Sequence, residues 1–247
     1  MPKEIHSLGS PGWLDHVFHT PPVRALKGRS KFTQYHQFWS HSLGRYVGSQ
    51  GRNEALAALT LEYLITLGYI GKFKEQPFKT ELQTFGAQIV PDFIAVAPCE
   101  KIYVIEVKNA RFITPFIQAS LDRNREVFQQ AGLAYVCWTD QHPLNVATRH
   151  NLLNMHRHSN IVQPDECVAF AEHLETLGSL SVEELQQHGY DYGVIYAATW
   201  SGKTFFPITK EFTATTSIST QPTIDIPAVF LDARGEDDRW WNSLEGC

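Results

Sequence analysis

The sequence predicts an α/β fold, a mixed β-sheet flanked by helices and followed by a smaller unit of two helices and a hairpin. Three observations predict it. After residue 50, Leu56, Leu59, Tyr63 and Leu67 recur at three- and four-residue steps, the period of a helix. Short extended segments follow, cut apart by Pro77, Gly86 and Pro98. A second helical pattern and one more apolar strand come next, and such alternation of helices and strands is the signature of layered α/β architecture.

Residues 1–50 mix Gly, Pro, Ser and His without a sustained period and read as an irregular arm. The first helix runs over Asn53–Leu67, with Glu54 in its first turn and Gly68 where a left-handed residue ends it. The extended stretches Gly71–Phe78, Glu81–Phe85, Gln88–Val96 and Lys101–Lys108 suggest a β-meander. Thr114 and Pro115 then supply an N-cap and a first helical residue for a pattern through Phe116, Ala119, Leu121 and Phe128, closed by Gly132. Leu133–Trp138 reads as a buried strand and Asn151–Arg157 as a further helix.

The texture changes near Gln163. Glu166–Leu177 reads as a helix, Ser181 and Glu184 form a capping box before Leu185, and Ile195–Phe206 reads as a hairpin turning at Ser201 and Gly202. Helix, helix and hairpin make a winged-helix-like unit. The expected division is an arm over 1–50, an α/β domain over 51–162, a winged-helix-like domain over 163–220 and an acidic tail over 221–247.

The chain has 247 residues, is 43% hydrophobic and carries a formal net charge of −5, so it can bury a real core but lacks the overall positive charge that grips duplex DNA unaided. Lys3, Arg24, Lys27, Arg29, Lys31, Arg45 and Arg52 make the first part basic, whereas Glu236, Asp237, Asp238 and Glu245 make the end acidic. No apolar run is long enough to span a bilayer, and a cytoplasmic protein with no membrane association is expected. Cys99, Cys137, Cys167 and Cys247 form no CxxC pair and read as free thiols. His150, His156 and His158 lack a Cys or acid at zinc spacing and read as helix surface. Gly202-Lys203 lacks the frame of a phosphate loop. Trp240 and Trp241 suit either a docking tail or a terminus packed on the core.

The chemistry is carried by Pro91-Asp92 and Glu106-Val107-Lys108. Side chains alternate along a strand, so Glu106 and Lys108 project to one face while Ile105 and Val107 enter the apolar one. A neighbouring strand can bring Asp92 to the same point. Charges on so apolar a strand are costly unless they have a task. Carboxylates are hard ligands for Mg²⁺, with Mn²⁺ as its substitute, and the cation activates water and offsets phosphoryl charge. Lys108 would orient or help deprotonate that water, or stabilise charge on the phosphorane. Glu54, from the preceding helix, would complete the metal shell or hold a second ion.

Glu54, Pro91-Asp92 and Glu106-Val107-Lys108 resemble the PD-(D/E)xK nuclease signature. The wider sequence resembles the TnsA family, endonuclease subunits of heteromeric cut-and-paste transposons. The resemblance runs through Lys74-Glu75-Gln76-Pro77-Phe78, Val90-Pro91-Asp92-Phe93, Trp138-Thr139-Asp140 and Asn151-Leu152-Leu153 to Trp200-Ser201-Gly202-Lys203, and it covers about residues 50–220. It implies a restriction-endonuclease-like core, with Glu54, Asp92 and Lys108 at catalytic positions and Glu106 where Gln is also tolerated. It further implies cleavage of the non-transferred 5′ strands at transposon ends, beside a DDE transposase of the TnsB type and an AAA+ regulator of the TnsC type. The long His-rich arm and the acidic tail depart from the family's pattern. A restriction or repair nuclease on the same core, and a catalytically silent DNA-binding or adaptor subunit, are the competing readings.

Overall fold

A computed structural model of the chain describes residues 8, 12–23, 35–82 and 87–231. Its element order is α1 (Trp13–His19), β1 (Tyr35–Ser40), β2 (Arg45–Gln50), α2 (Arg52–Thr66), β3 (Lys72–Glu75), β4 (Thr80–Leu82), β5 (Ala87–Ile89), β6 (Phe93–Val96), β7 (Ile102–Lys108), α3 (Pro115–Gln130), β8 (Ala134–Thr139), α4 (Val146–Ser159), α5 (Pro164–Leu177), β9 (Leu180–Ser181), α6 (Val182–Gln187), α7 (Tyr192–Trp200), β10 (Ser217–Ile218) and α8 (Ile226–Phe230).

The expected α/β arrangement of a mixed sheet between helices is present. Its centre is a four-stranded sheet of order β3-β6-β7-β8, antiparallel from β3 to β7 and parallel between β7 and β8. The parallel step needs a crossover, which α3 supplies. The expected meander is interrupted, because β4 and β5 leave the sheet as a hairpin of their own.

Each face of the sheet buries a different set of side chains. Phe73, Phe93, Ala95, Ile105, Val107, Val136 and Trp138 pack with α2 and the helices after β8. Ile94, Val104, Leu133 and Tyr135 pack with Leu121 and Phe128 of α3 and with Trp13 and Val17 of α1. The period-two alternation of each strand creates this division. α3 begins as its sequence dictates, the Thr114 hydroxyl accepting the Ile117 N–H and Pro115 holding the first helical position. Its inward positions are Leu121, Asn124 and Phe128, whereas Phe116 and Ala119, expected on the apolar stripe, face outward.

Three further expectations are corrected. The arm contains order: α1 and the antiparallel pair β1–β2 lie within it. The pair follows from two β-prone segments joined by His41-Ser42-Leu43-Gly44, with Gly44 at φ 61°, a conformation that favours glycine. The pair covers α2, so that Leu56 through Leu64 are buried without interruption and α2 is an internal helix rather than a surface one. The hairpin expected over Ile195–Phe206 is instead the helix α7, capped by Asp191 accepting the Val194 N–H. Its run is apolar on every side because α4 and α5 enclose it, and periodicity does not separate such a helix from a buried strand. The chain returns later, where Phe205 bridges Ser219 and β10 pairs with β9. The stretch 213–220, rich in Thr and Ser, supplies β10.

The Ser181–Glu184 capping box forms as expected, each residue bonding the other's backbone N–H. Among the described residues, no disulfide joins Cys99, Cys137 and Cys167, while Cys247, Trp240, Trp241 and the acidic tail beyond residue 231 lie outside them. Among those residues, no helix is long and apolar enough to cross a membrane.

Candidate active site

Asp92 precedes β6 and continues the β3–β6 ladder with its carbonyl, which accepts the Gln76 N–H at 2.8 Å. On the other side of β6, Phe93 is paired with Ile105 and Ile94 with Val104. One further step of that antiparallel register sets Asp92 opposite Glu106, and directly opposed residues share a face. The Asp92 carboxylate is fixed there, its Oδ2 accepting the Val107 N–H at 2.7 Å. Glu106 and Lys108, two positions apart on β7, project from this same face and form an ion pair through Glu106 Oε1 and Lys108 Nζ. The face is largely covered: side-chain exposure is 12% for Glu106 and 34% for Lys108, so their charges act through less water than at an open surface.

Burial alone would pull the Lys108 ammonium below the usual lysine range. The adjacent Glu106 carboxylate, with a contribution from Asp92, outweighs burial and holds the group above that range. On β8, Cys137 sits opposite Glu106 in the parallel register, and its thiol is pushed up to about 12, first by burial and then by the Glu106 charge. It is an inert neighbour rather than a nucleophile at neutral pH.

Glu54 enters from another direction. It sits in the first turn of α2, where its Oε2 accepts the Gln50 N–H at 2.8 Å. A cleft of about 520 Å³ connects it to Lys108, with Asn53, Asn109, Asp140 and Arg149 also on the walls. The structure therefore brings Asp92, Glu106 and Lys108 to one strand face and places Glu54 across a cleft from Lys108. It does not gather the three acids into a single shell: among the described residues, no group of three or more His, Cys, Asp or Glu side chains is assembled to hold a metal ion. Two register-opposed carboxylates nevertheless suit Mg²⁺, which keeps several waters and is commonly held by one or two protein carboxylates together with substrate phosphate.

Two residues near the site carry no chemical role in the sequence reading. Asp140, at the end of β8, lines the cleft and accepts the Ala110 N–H at 2.7 Å, fastening the 3-10 turn Ala110–Phe112 that follows Lys108. Its signal is an acid directly after a buried strand. Arg125, on α3, is only 12% exposed and lies 3.7 Å from Asp122; burial lowers its pKa. The field of its guanidinium reaches Tyr135 and Cys137, the side chains that also feel Glu106. An arginine in a helix of mixed polarity carries no signal of that position. The histidines of α4 part company: His150 is exposed, but His156 packs against Phe38 and Trp200 and His158 stacks on Tyr196, so the expected surface role holds only for the first.

No protein-family profile and no curated protein matches the sequence.

Proposed function

We propose that the protein is a Mg²⁺-dependent DNA endonuclease of the TnsA type, which cuts the non-transferred 5′ strands at transposon ends beside a DDE transposase and an AAA+ regulator. The observation that carries this reading is the convergence of Asp92, Glu106 and Lys108 on one partly covered strand face, with Glu54 across the adjoining cleft. When bound, the cation would supply Lewis-acid stabilisation of charge on the phosphoryl oxygens. Asp92 and Glu106 would hold it, and the hydrogen bond from Val107 N–H keeps Asp92 in one rotamer. Lys108 places a positive charge where charge develops on the phosphorane and orients the incoming water. Glu54, on the opposite wall, would complete the site when DNA fills the cleft.

The core is restriction-endonuclease-like in this reading, and the C-terminal unit winged-helix-like. Supporting the second point, α5, β9, α6 and α7 follow one another before the chain returns through β10 to pair with β9, with Phe205 bridging Ser219. Yet α7, which stands where such a unit would carry its DNA-reading helix, is packed between α4 and α5. That burial disfavours a silent DNA-binding adaptor and suits a unit that docks on other proteins, the AAA+ regulator among them. Net charge of −5 fits delivery to DNA by partners.

The test is reconstitution with the cognate transposase on transposon-end DNA in Mg²⁺, the nicks being mapped on denaturing gels. Nicks on the 5′ strands at the transposon boundary are expected. Cleavage at an internal recognition sequence without transposase would replace this reading with the restriction-type one.

A further inference from the structure

Two arginines stand at the rim of the cleft that holds Glu54 and Lys108. Arg52 opens α2 and is exposed, whereas Arg149 lies in the first turn of α4 and is half-buried. Both line the cleft of about 520 Å³, and both also line a separate hollow of about 270 Å³ walled by Phe38, Leu56 and Leu153. The pair therefore forms the ridge between the two depressions. Among the described residues, the ion pairs are Arg45–Glu75, Lys108–Glu106 and Arg125–Asp122, and neither ridge arginine belongs to one. The acids on the cleft walls are engaged with the backbone, Glu54 with Gln50 N–H and Asp140 with Ala110 N–H.

Two guanidinium groups lining the same two depressions concentrate positive charge there, and an anion lying across them offsets it. Their planar forks match the oxygens of a phosphodiester, and base edges are not needed for such contacts. We propose that Arg52 and Arg149 grip the two backbone phosphates that flank the scissile one in the cut strand, fixing its register over Lys108. This inference rests on the nuclease reading for the identity of the strand. It gives an acidic protein a local basic grip at the place where register matters, and it leaves sequence choice to other components.

The experiment is fluorescence anisotropy of a short labelled transposon-end duplex, saturated with the cognate transposase and titrated with the full chain in EDTA, from about 50 to 200 mM salt, where affinity falls in proportion to phosphate contacts. Relative to the unaltered protein, Arg52→Gln should flatten the slope of log affinity against log salt by about 0.9, and Arg52→Gln with Arg149→Gln by about 1.8. Arg52→Lys with Arg149→Lys, which keeps the charges, should restore most of the slope. An unchanged slope in the double Gln variant with unchanged thermal unfolding overturns the proposal, as does salt-independent binding or no binding by the unaltered chain. The binding readout involves no metal and no cleavage. A flattened slope alongside full cleavage by Asp92→Asn would therefore sink the nuclease reading alone, and an unflattened slope alongside loss of cleavage by Asp92→Asn would sink the arginine grip alone.

Discussion

At the scale of single residues, the site separates groups by what each contributes. Asp92 has an amide hydrogen bond that fixes its carboxylate, while Glu106 is tied to Lys108, so the two acids are not equivalent. Asp92→Asn should slow nicking at least about 100-fold, the scale of losing a charged group aimed at the transition state. Glu106→Gln should cost less, about 10-fold, because an amide oxygen still faces the cation. Single-turnover nicking rates check this order, and equal losses would contradict it. His156 offers a second residue-scale test. Burial, against the pull of Glu62 and with a further push from His41, holds its pKa below the ordinary imidazole value, and its Nε2 has no hydrogen-bond partner among the described residues. The unfolded chain takes up this proton near pH 6.5 and the folded chain only at lower pH. Stability from this group is thus full above about pH 6.5 and falls as pH drops below it, levelling off past the folded value. His156→Phe keeps the ring contacts with Phe38 and Trp200 and removes the proton. Urea midpoints at pH 7.5 and 5.5 should differ less in the variant than in the unaltered protein.

Among elements, what was legible followed from periodicity and capping chemistry. α2, α3, β7 and β8 were readable because their apolar positions repeat and because Thr114-Pro115, Gly68 and Gly132 punctuate them; both glycines have positive φ. The Asp92–Glu106–Lys108 cluster was readable because strand alternation by itself fixes Glu106 and Lys108 on one face. α7 was misread because enclosure by α4 and α5 removes the polar side that would reveal a helical period. α1 was missed because its seven residues are held mainly by long-range contacts that leave no local trace. Trp13 meets Phe78 with ring centroids 5.1 Å apart, and the buried Lys74 ammonium donates to the Val17 and Thr20 carbonyls at the helix C-terminus, where a cation is favoured. Trp13→Ala should therefore destabilise the protein by about 3–5 kcal/mol. Lys74→Met should weaken amide protection specifically over α1, which hydrogen exchange would detect; equal protection would show that packing alone holds the helix.

For the molecule as a whole, one buried cluster runs from Val47 and α2 through Trp138 and Leu152 to Ile195, Phe206 and Phe230. The Trp138 indole N–H donates to the Phe230 carbonyl at 2.8 Å, and Asn151 donates to the carbonyls of Ile208 and Lys210. Elements after residue 163 thus complete the core on one face of the four-stranded sheet. Thermal unfolding should show one transition by circular dichroism and tryptophan fluorescence alike, and a fragment ending at residue 162 should not fold stably, since Leu152 and Met155 would lose their cover. Two separated transitions would show independent units. The central claim remains the joint action of Glu54, Asp92, Glu106 and Lys108 on a phosphodiester. Its most direct measurement is nicking of the 5′ strands at transposon ends in Mg²⁺ by the reconstituted protein, compared with EDTA treatment and with Asp92→Ala and Lys108→Ala. Abolished nicking in all three, with unaltered thermal unfolding of both variants, is the predicted result; undiminished nicking by either variant would contradict it.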